Sequence, residues 1–284
     1  MPAFLATLSA LLFGVGDFMG GMAARRVRAV VVAAWSQLVG LTVIMVLVLV
    51  VLAGAHPSGA DMAWGAAGGL VGAMGLLLLY TALSKGPMSV AAPITAVFSA
   101  IVPVVAGLAF GERPGAIAGV GILLAFPAIV LIASAEEDRS LPHPARTTFV
   151  ELLPAFGAGI GFGLFFVFLG RTSDGAGLWP LVGARSVSLL LLFALAFVTP
   201  GRVALSDGTT RLVVVCGLCD ASANALFLVA VKQGLLSLIA VLAALYPAST
   251  VVLARLVLHE RMSRAQLVGL GLAGVAAVCV ASAG

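Results

Sequence analysis

Residues 86–134, GPMSVAAPITAVFSAIVPVVAGLAFGERPGAIAGVGILLAFPAIVLIAS, decide the fold because a related stretch returns 148 positions later. Residues 234–282 read GLLSLIAVLAALYPASTVVLARLVLHERMSRAQLVGLGLAGVAAVCVAS, and eighteen of the 49 aligned positions are identical. Many identities are Ala, Val or Leu, which any two membrane helices share. The informative ones are Gly86/Gly234, Ser89/Ser237, Glu112-Arg113/Glu260-Arg261, Gly121/Gly269 and Ser134/Ser282. The second half of the chain is therefore predicted to repeat the first.

The composition excludes a soluble globular protein. Hydrophobic residues make up 62% of the chain and charged residues 9%, against roughly 25% charged in soluble domains. A membrane span needs about 20 apolar residues. Continuous apolar runs, which favour helices over barrel strands, occur at about 3–23, 30–53, 62–83, 88–110, 115–134, 150–170, 178–198, 211–231, 236–258 and 265–283. A multi-pass protein of the cell membrane is predicted.

The repeat predicts how these spans are arranged. The polar stretch 136–146, EEDRSLPHPAR, separates a first half at 1–135 from a second at 147–284, and its prolines and charges are typical of a linker. Each half holds five spans, and an odd number makes the second copy enter the bilayer upside down. The predicted fold is an all-α integral membrane protein with ten transmembrane helices in two inverted five-helix repeats, an architecture of secondary transporters.

Ionisable side chains inside spans are candidates for function, because each costs at least about 2.5–3.5 kcal/mol on insertion scales. Asp17 lies in the first span, Arg185 in the seventh, Asp220 in the eighth and Arg255 near the end of the ninth. None has a charged equivalent in the other half; Asp220, for example, falls on Gly72. A repeat used only for packing needs no new charges in one copy, so these residues point to a site.

Asp220 and Asn224 are four residues apart and share one helix face. They could hydrogen-bond a polar ligand or bind a proton; alternatively, Asp220 neutralises Arg185 or Arg255 in a buried pair. Asp17 lies among glycines in GVGDFMGG, where both backbone and carboxylate could face a cavity. Arg185 could hold a carboxylate or phosphate of a substrate, or serve only as an ion-pair partner; Arg255 could reach the headgroups from its helix end.

Softer polar candidates complete the predicted binding site: Gln37, Tyr80 and Tyr246. Pro247 is expected to interrupt the ninth span, and interrupted helices in transporters often lie at the binding site. Pro93 and Pro103 are expected to act comparably in the fourth span. Glu112 and Glu260 precede the fifth and tenth spans, where a carboxylate favours the positive end of a helix. They are interpreted as structural caps or interface anchors.

The turns Phe110-Gly-Glu-Arg-Pro114 and Leu258-His-Glu-Arg-Met262, each followed by a glycine-punctuated helix (Gly119-Val-Gly121 and Gly269-Leu-Gly271), carry a resemblance. The chain resembles the EamA-type ten-helix branch of the drug/metabolite transporter superfamily, in which each five-helix repeat closes with such a turn and helix. The resemblance covers essentially the whole chain. It implies export or exchange of small metabolites or drugs through a central cavity without ATP, and it names no substrate.

Other classes of function are weighed against this one. Gly14-Val-Gly-Asp17 matches the G-x-G-D of intramembrane aspartyl proteases, with Asp220 as the possible second carboxylate. However, the order of the two helices is reversed, and Cys219 stands where that family has tyrosine. A non-transporting membrane receptor or assembly protein stays an open alternative. We therefore predict that the chain is not an enzyme.

No cofactor or metal is predicted, since Cys216-Gly-Leu-Cys219 has no second pair of ligands and no phosphate-binding loop is present. Nucleic acid is not expected as a partner. The expected partners are the lipid bilayer and a small-molecule substrate; the glycine-rich helix faces would serve either within one chain or between two copies in a homodimer. The predicted function is a secondary transporter that alternates access around a central cavity, with proton coupling or simple exchange both open.

Overall fold

The computed structural model describes residues 1–51, 54–85, 88–133, 149–258 and 262–282, and within these ranges the chain is helical without strands. The predicted linker at 136–146, Glu260 and Arg261 lie outside the described residues. The helices are α1 (Pro2–Ala24), α2 (Ala29–Val51), α3 (Gly59–Lys85), α4 (Met88–Ala109), α5 (Ala116–Ala133), α6 (Phe149–Gly170), α7 (Trp179–Val198), α8 (Asp207–Val231), α9 (Leu236–Ala243), α10 (Pro247–Leu258) and α11 (Arg264–Ser282), with a 3₁₀ turn at Asp174–Ala176.

Within the described ranges, eight stretches are long and apolar enough to cross a bilayer, and two apolar helices are shorter, at Ile94–Ala109 and Ala116–Ile132. The chain is thus a multi-pass membrane protein. Each of the ten apolar segments read from the sequence coincides with helix, although the ninth is divided between α9 and α10. Apolar side chains facing lipid need no internal partner, so many large hydrophobic residues stay exposed on the bundle surface.

The interruption expected in the ninth span is confirmed. Leu245 and Tyr246 tighten the end of α9, because their N–H groups bond carbonyls three residues back at 3.2 and 3.3 Å. Pro247 then begins α10, where its missing N–H is not needed. The break leaves a short non-helical turn near the middle of the bundle.

The expectation of comparable breaks in the fourth span was wrong. The helix α4 runs without interruption from Met88 to Ala109, through both Pro93 and Pro103. Membrane helices tolerate proline when neighbouring helices support the backbone, and α4 packs along both α6 and α9. The packing of α4 therefore outweighs the loss of its proline N–H groups.

The principal helix contacts join the two halves of the chain. α1 packs along α8, α3 along α6 and α7, α2 along α7 and α8, and α5 along α11. Exchanging each helix for its counterpart in the other half turns the contact of α1 with α8 into that of α6 with α3. The halves therefore form one interleaved bundle.

At the contact of α5 with α11, individual residues show the same correspondence between the halves. A Cβ added at Gly121 would lie 2.9 Å from Val280 and 3.0 Å from the carbonyl of Ala276. A Cβ at Gly269 would lie 2.6 Å from the backbone nitrogen of Ile132 and 3.0 Å from the carbonyl of Ala128. All three pairs differ by 148, and the absent side chains let the two helices approach closely.

Glu112 does not cap the helix that follows it. Its carboxylate accepts the N–H groups of Leu236 and Ser237, at 2.7 and 3.0 Å. These are orphan donors at the start of α9, where a negative charge is also favoured by the helix dipole. The sequence interpretation as a cap or interface anchor gave the right role and the wrong helix, because the partner helix lies in the other half of the chain.

Asp61 links the halves near the same end of the bundle. It forms a capping box with Ser58, accepting its N–H at 2.8 Å while the Ser58 hydroxyl accepts the Asp61 N–H at 3.2 Å. The same carboxylate accepts the N–H and hydroxyl of Ser173, at 2.6 and 2.9 Å, from the loop after α6. The Asp61 carboxylate therefore has a structural role at this end of the bundle.

Lys232, just after α8, donates to the carbonyl of Thr172 in the same loop. Burial lowers the pKa of the Lys232 ammonium, while the nearby carboxylates of Asp174 and Asp61 act in the opposite direction. The loops before α3, after α6 and after α8 are thus joined at this end by polar contacts between the two halves.

Candidate functional site

A central cavity lies at mid-height of the bundle, where α1, α2, α3, α4, α6, α7 and α8 meet the turn between α9 and α10. The volume open to the centres of water molecules is about 60 Å³, several times the roughly 10–15 Å³ that one water needs on that measure. Its polar lining residues are Asp17, Gln37, Ser99, Arg185, Ser188, Asp220, Asn224 and Tyr246. Its apolar lining residues are Phe13, Gly72, Leu76, Phe162, Phe165, Phe166 and Ala184.

Arg185 is held in a buried polar triad. Its Nη1 lies 2.5 Å from Oδ2 of Asp220 and donates to Oε1 of Gln37 at 2.7 Å. The side chain of Arg185 is 4% exposed and that of Asp220 is 22% exposed. A buried charge needs a partner of opposite sign, and Arg185 finds it inside the protein. Pairing of Asp220 with Arg185, one of the alternatives open from the sequence, is therefore present in this structure.

Asn224 extends this network along α8. Its Nδ2 donates to the backbone carbonyl of Asp220 at 2.8 Å and to Oδ1 of Asp220 at 3.2 Å. Two acceptors thus fix the amino side of the amide, and Oδ1 faces away from them. This Oδ1 is buried and has no partner among the described residues.

Asp17 faces the cavity from α1, beside the triad. A Cβ added at Gly16 would lie 3.6 Å from the backbone nitrogen of Asp220, so α1 and α8 approach closely at this level. Among the residues that the structure describes, Asp17 has no hydrogen-bond donor and no cation within bonding distance. The cavity therefore carries one paired carboxylate and one free carboxylate.

Aromatic side chains also line the cavity. The ring of Phe166 lies 5.9 Å from that of Phe13 and stacks at 4.1 Å on Phe227 behind it. Phe165 contacts Phe166 at 5.8 Å. Tyr246 lines the cavity at the helix break, is 7% exposed, and its hydroxyl has no partner within the described part of the chain.

Part of the cavity lining is related by the repeat. Shifting the polar residues Asp17, Asp220 and Asn224 by 148 positions gives Phe165, Gly72 and Leu76, and all six residues line the cavity. Gln37 and Arg185 are also 148 apart, and they contact each other. At these three pairs of positions, one member of each pair is polar or charged and the other is apolar.

Of the seven residues proposed from the sequence, six line the cavity: Asp17, Gln37, Arg185, Asp220, Asn224 and Tyr246. Tyr80 is not among the lining residues; its hydroxyl lies 3.0 Å from Sγ of Cys216, against α1 at Gly20. Arg255 is exposed in the last turn of α10.

Sequence reasoning missed the phenylalanines that line the cavity. Phe162, Phe165 and Phe166 lie in an apolar helix whose other phenylalanines have no cavity role, so composition does not single them out. Applying the 148-residue shift to the polar candidates Asp17 and Asn224 would have found Phe165 and Leu76. No comparable signal existed for Ser99 or Ser188.

The fold and cavity are those of a multi-pass membrane protein with a central polar site. The model of the EamA-like transporter family matches residues 1–134 and 150–282, which is most of the chain, so the chain belongs to the EamA-like transporter family. Proteins of this family are transporters rather than enzymes. The resemblance read from the two Glu-Arg turns is thereby confirmed.

A crystal structure of another protein is similar to this chain, with a TM-score of 0.77 and 18% identity over 99% of this chain and 97% of the other. At that identity the likeness shows a shared fold. No curated protein matches the chain.

Proposed function

We propose that the chain is a secondary transporter, which exports or exchanges a small metabolite or drug by alternating access of the central cavity. The observation that carries the proposal is a cavity at mid-height of the bundle, large enough for several waters, lined from both halves and including the free carboxylate of Asp17. An unpaired charge away from bulk water is costly, so a residue of this kind is kept for what it binds.

Alternating access needs two similar halves embedded with opposite polarity. Two reciprocal contacts support this arrangement. A Cβ added at Gly69 would overlap the carbonyl of Ala184. A Cβ added at Gly217, the counterpart of Gly69, would lie 2.7 Å from the carbonyl of Ser36, which is the counterpart of Ala184. Contact between Gln37 and its own counterpart Arg185 supports a two-fold pseudo-axis beside the cavity. The proposed repeats are residues 1–135 and 147–284.

Rocking of the halves also needs sites of motion, and the turn between α9 and α10 is the natural one. It lies at the cavity and interrupts the α-helix of the ninth span, where hydrogen bonds to the fourth residue back give way to bonds to the third. Coupling to protons would use Asp17, because a carboxylate without a partner can take up a proton when the cavity closes. We place the protein in the cell membrane, which export requires, and possible homodimerisation stays a prediction.

The test is counterflow and gradient-driven flux in proteoliposomes, with a library of metabolites and drugs. We expect wild-type flux to increase with a pH gradient, and Asp17→Asn to lose that dependence while retaining counterflow. The matched control is Asp174→Asn, which makes the same change in an exposed loop. Absence of flux for every compound by a folded protein that still binds ligand would favour the receptor alternative. A gradient dependence unchanged in Asp17→Asn would remove the proposed coupling site.

The aspartyl protease alternative has no support from the geometry. Such an enzyme needs two carboxylates that share a proton, whereas the Asp220 carboxylate is engaged by Arg185 at 2.5 Å. Asp17 alone does not form that pair.

A further inference from the structure

Three polar groups around the central cavity have no partner in the described part of the chain. They are the carboxylate of Asp17, Oδ1 of Asn224 and the hydroxyl of Tyr246. Asn224 is 3% and Tyr246 is 7% exposed, so bulk water does not satisfy them. Buried polar groups in folded proteins nearly always have partners, and a set of orphans around one cavity indicates that a ligand supplies them.

The chemistry of these three groups is biased. A carboxylate and an amide oxygen only accept hydrogen bonds, and a tyrosine hydroxyl can accept as well as donate. A ligand that satisfies all three must therefore present several donors. An ammonium group has up to three N–H donors and no acceptor, which matches this requirement.

The charge of the lining points the same way. Ionised, its two carboxylates and one guanidinium carry a net charge of minus one. The guanidinium of Arg185 is already engaged by Asp220 and Gln37, so an anionic ligand would have to displace an internal ion pair. A cation needs no such displacement and neutralises the free carboxylate of Asp17.

The rest of the cavity favours an apolar body attached to the cation. Phe13, Phe162, Phe165 and Phe166 line it together with Tyr246. Aromatic faces attract cations, and more strongly where water is excluded. They also bind apolar or aromatic groups through burial of surface.

We propose that the central cavity binds an organic ammonium ion with at least one N–H donor and an apolar or aromatic body, in preference to anions and neutral analogues. The proposal rests on the transport function proposed above, for which it names the substrate class. Asp17 binds the charge, Asn224 Oδ1 and the Tyr246 hydroxyl accept N–H groups, and the phenylalanines contact the body.

The test measures binding and flux separately. The probes are benzyl, 2-phenylethyl and 3-phenylpropyl compounds, each as the amine, the alcohol and the carboxylate, titrated calorimetrically into the full-length protein in detergent. For the best-fitting body, we expect the ammonium to bind about tenfold or more tightly than the alcohol, the range of one charged hydrogen bond. The carboxylate should bind most weakly. The inference is overturned when no ammonium of the series binds more tightly than its alcohol.

Variants assign the preference to residues. Asp17→Asn should weaken ammonium binding about tenfold or more while leaving the alcohol within about threefold, because it removes charge but not shape. Asn224→Leu and Tyr246→Phe should each weaken the ammonium by about two- to tenfold. The matched control is Tyr80→Phe, since Tyr80 lies outside the lining and its hydroxyl already has a partner. Equal losses in Tyr80→Phe and Tyr246→Phe would contradict the proposed hydrogen bond.

The two proposals fail in different ways. If the ammonium binds with the expected selectivity but shows no counterflow in proteoliposomes, the ligand class stands and the transport function falls. If alcohols or carboxylates are carried and ammonium ions are neither bound nor carried, transport stands and the ligand class falls.

Discussion

The contact between α5 and α11 and the wall of the central cavity are both built from equivalent positions of the repeat, yet they differ in what the repeat has kept. At the contact, Gly121 and Gly269 are the same residue and meet reciprocal partners. At the cavity, the counterpart of Asp17 is Phe165 and the counterpart of Asn224 is Leu76, and all four residues line it. At this helix contact the two copies have kept the same residue, whereas at these cavity positions the two copies have diverged.

The physical reason lies in what each position touches. Close approach of two backbones demands a small residue on both helices, so any change in either copy produces an overlap. A cavity wall is constrained only by the occupant of the cavity, which has no two-fold symmetry of its own. The comparison therefore predicts that changes at repeated positions affect stability, and changes at diverged positions affect ligand binding.

The largest stability effect should nevertheless come from a diverged position that holds a buried charge. Asp220→Asn leaves the guanidinium of Arg185 without a charged partner among the described residues, with Gln37 as its remaining hydrogen-bond partner there, and breaking such a pair costs about 3–5 kcal/mol. By contrast, Asp17→Asn removes an unpaired carboxylate and should leave the free energy of unfolding unchanged or raise it. Chemical unfolding in detergent micelles measures both. Similar values for the two variants would contradict the distinction between a paired and a free carboxylate.

Next in size are the glycines of the α5–α11 contact. Gly121→Ala and Gly269→Ala should each cost about 1–3 kcal/mol through overpacking. Gly269 should be the worse of the two, because its nearest atom is a backbone nitrogen at 2.6 Å rather than a side-chain methyl group.

The control for the glycine pair is Gly271→Ala, two positions away on α11, where a Cβ would meet nothing within 4 Å. It should be neutral or stabilising by up to about 1 kcal/mol. Ligand affinity should change in none of the three variants. A destabilised Gly271→Ala would contradict the assignment of the effect to the α5–α11 contact, because a Cβ there meets no atom of α5 and helix propensity favours alanine.

A smaller effect is expected at Glu112, a repeated position. Glu112→Gln weakens the cap on α9 and removes its charge, at a cost of about 1 kcal/mol. Thermal unfolding with Asp174→Asn as an exposed carboxylate control measures this cost. Cation selectivity should be unchanged, and a loss of selectivity would place Glu112 in the binding site rather than in the scaffold.

The smallest effect is expected at Tyr80. Removing its hydroxyl leaves the Cys216 thiol without that contact, for a loss of about 0.5 kcal/mol. Ammonium affinity in Tyr80→Phe should stay within about twofold of wild type. A tenfold loss, measured by the same calorimetry, would return Tyr80 to the binding site that the sequence proposed for it.

Much of the fold was predictable because the bilayer constrains it locally. Apart from the break between α9 and α10, the described helices begin and end within a few residues of the ends of the apolar runs, since backbone groups in lipid must be paired within the same segment. The interruption at Pro247 was predictable because it follows from a local property of the segment, the proline itself. The continuity of α4 through Pro103 was not, because it depends on packing against other helices.

The candidate site was predictable in part. Charges such as Asp17 and Arg185 stand out against an apolar background, and cost alone marks them for attention. The role of Glu112 was half predictable: its charge and position near a turn indicate a cap, but the helix that it caps lies over a hundred residues away.

By itself the sequence determined that this chain lies in a membrane, that its halves repeat and which side chains are too costly to be incidental, because burial in lipid constrains each segment separately. Only the tertiary structure decided that Asp220 is paired with Arg185, that Asp17 has no partner among the described residues, and that phenylalanines line the same cavity. Those facts depend on distances between helices remote in the chain, and no local property of a segment encodes which side chain of another segment it meets.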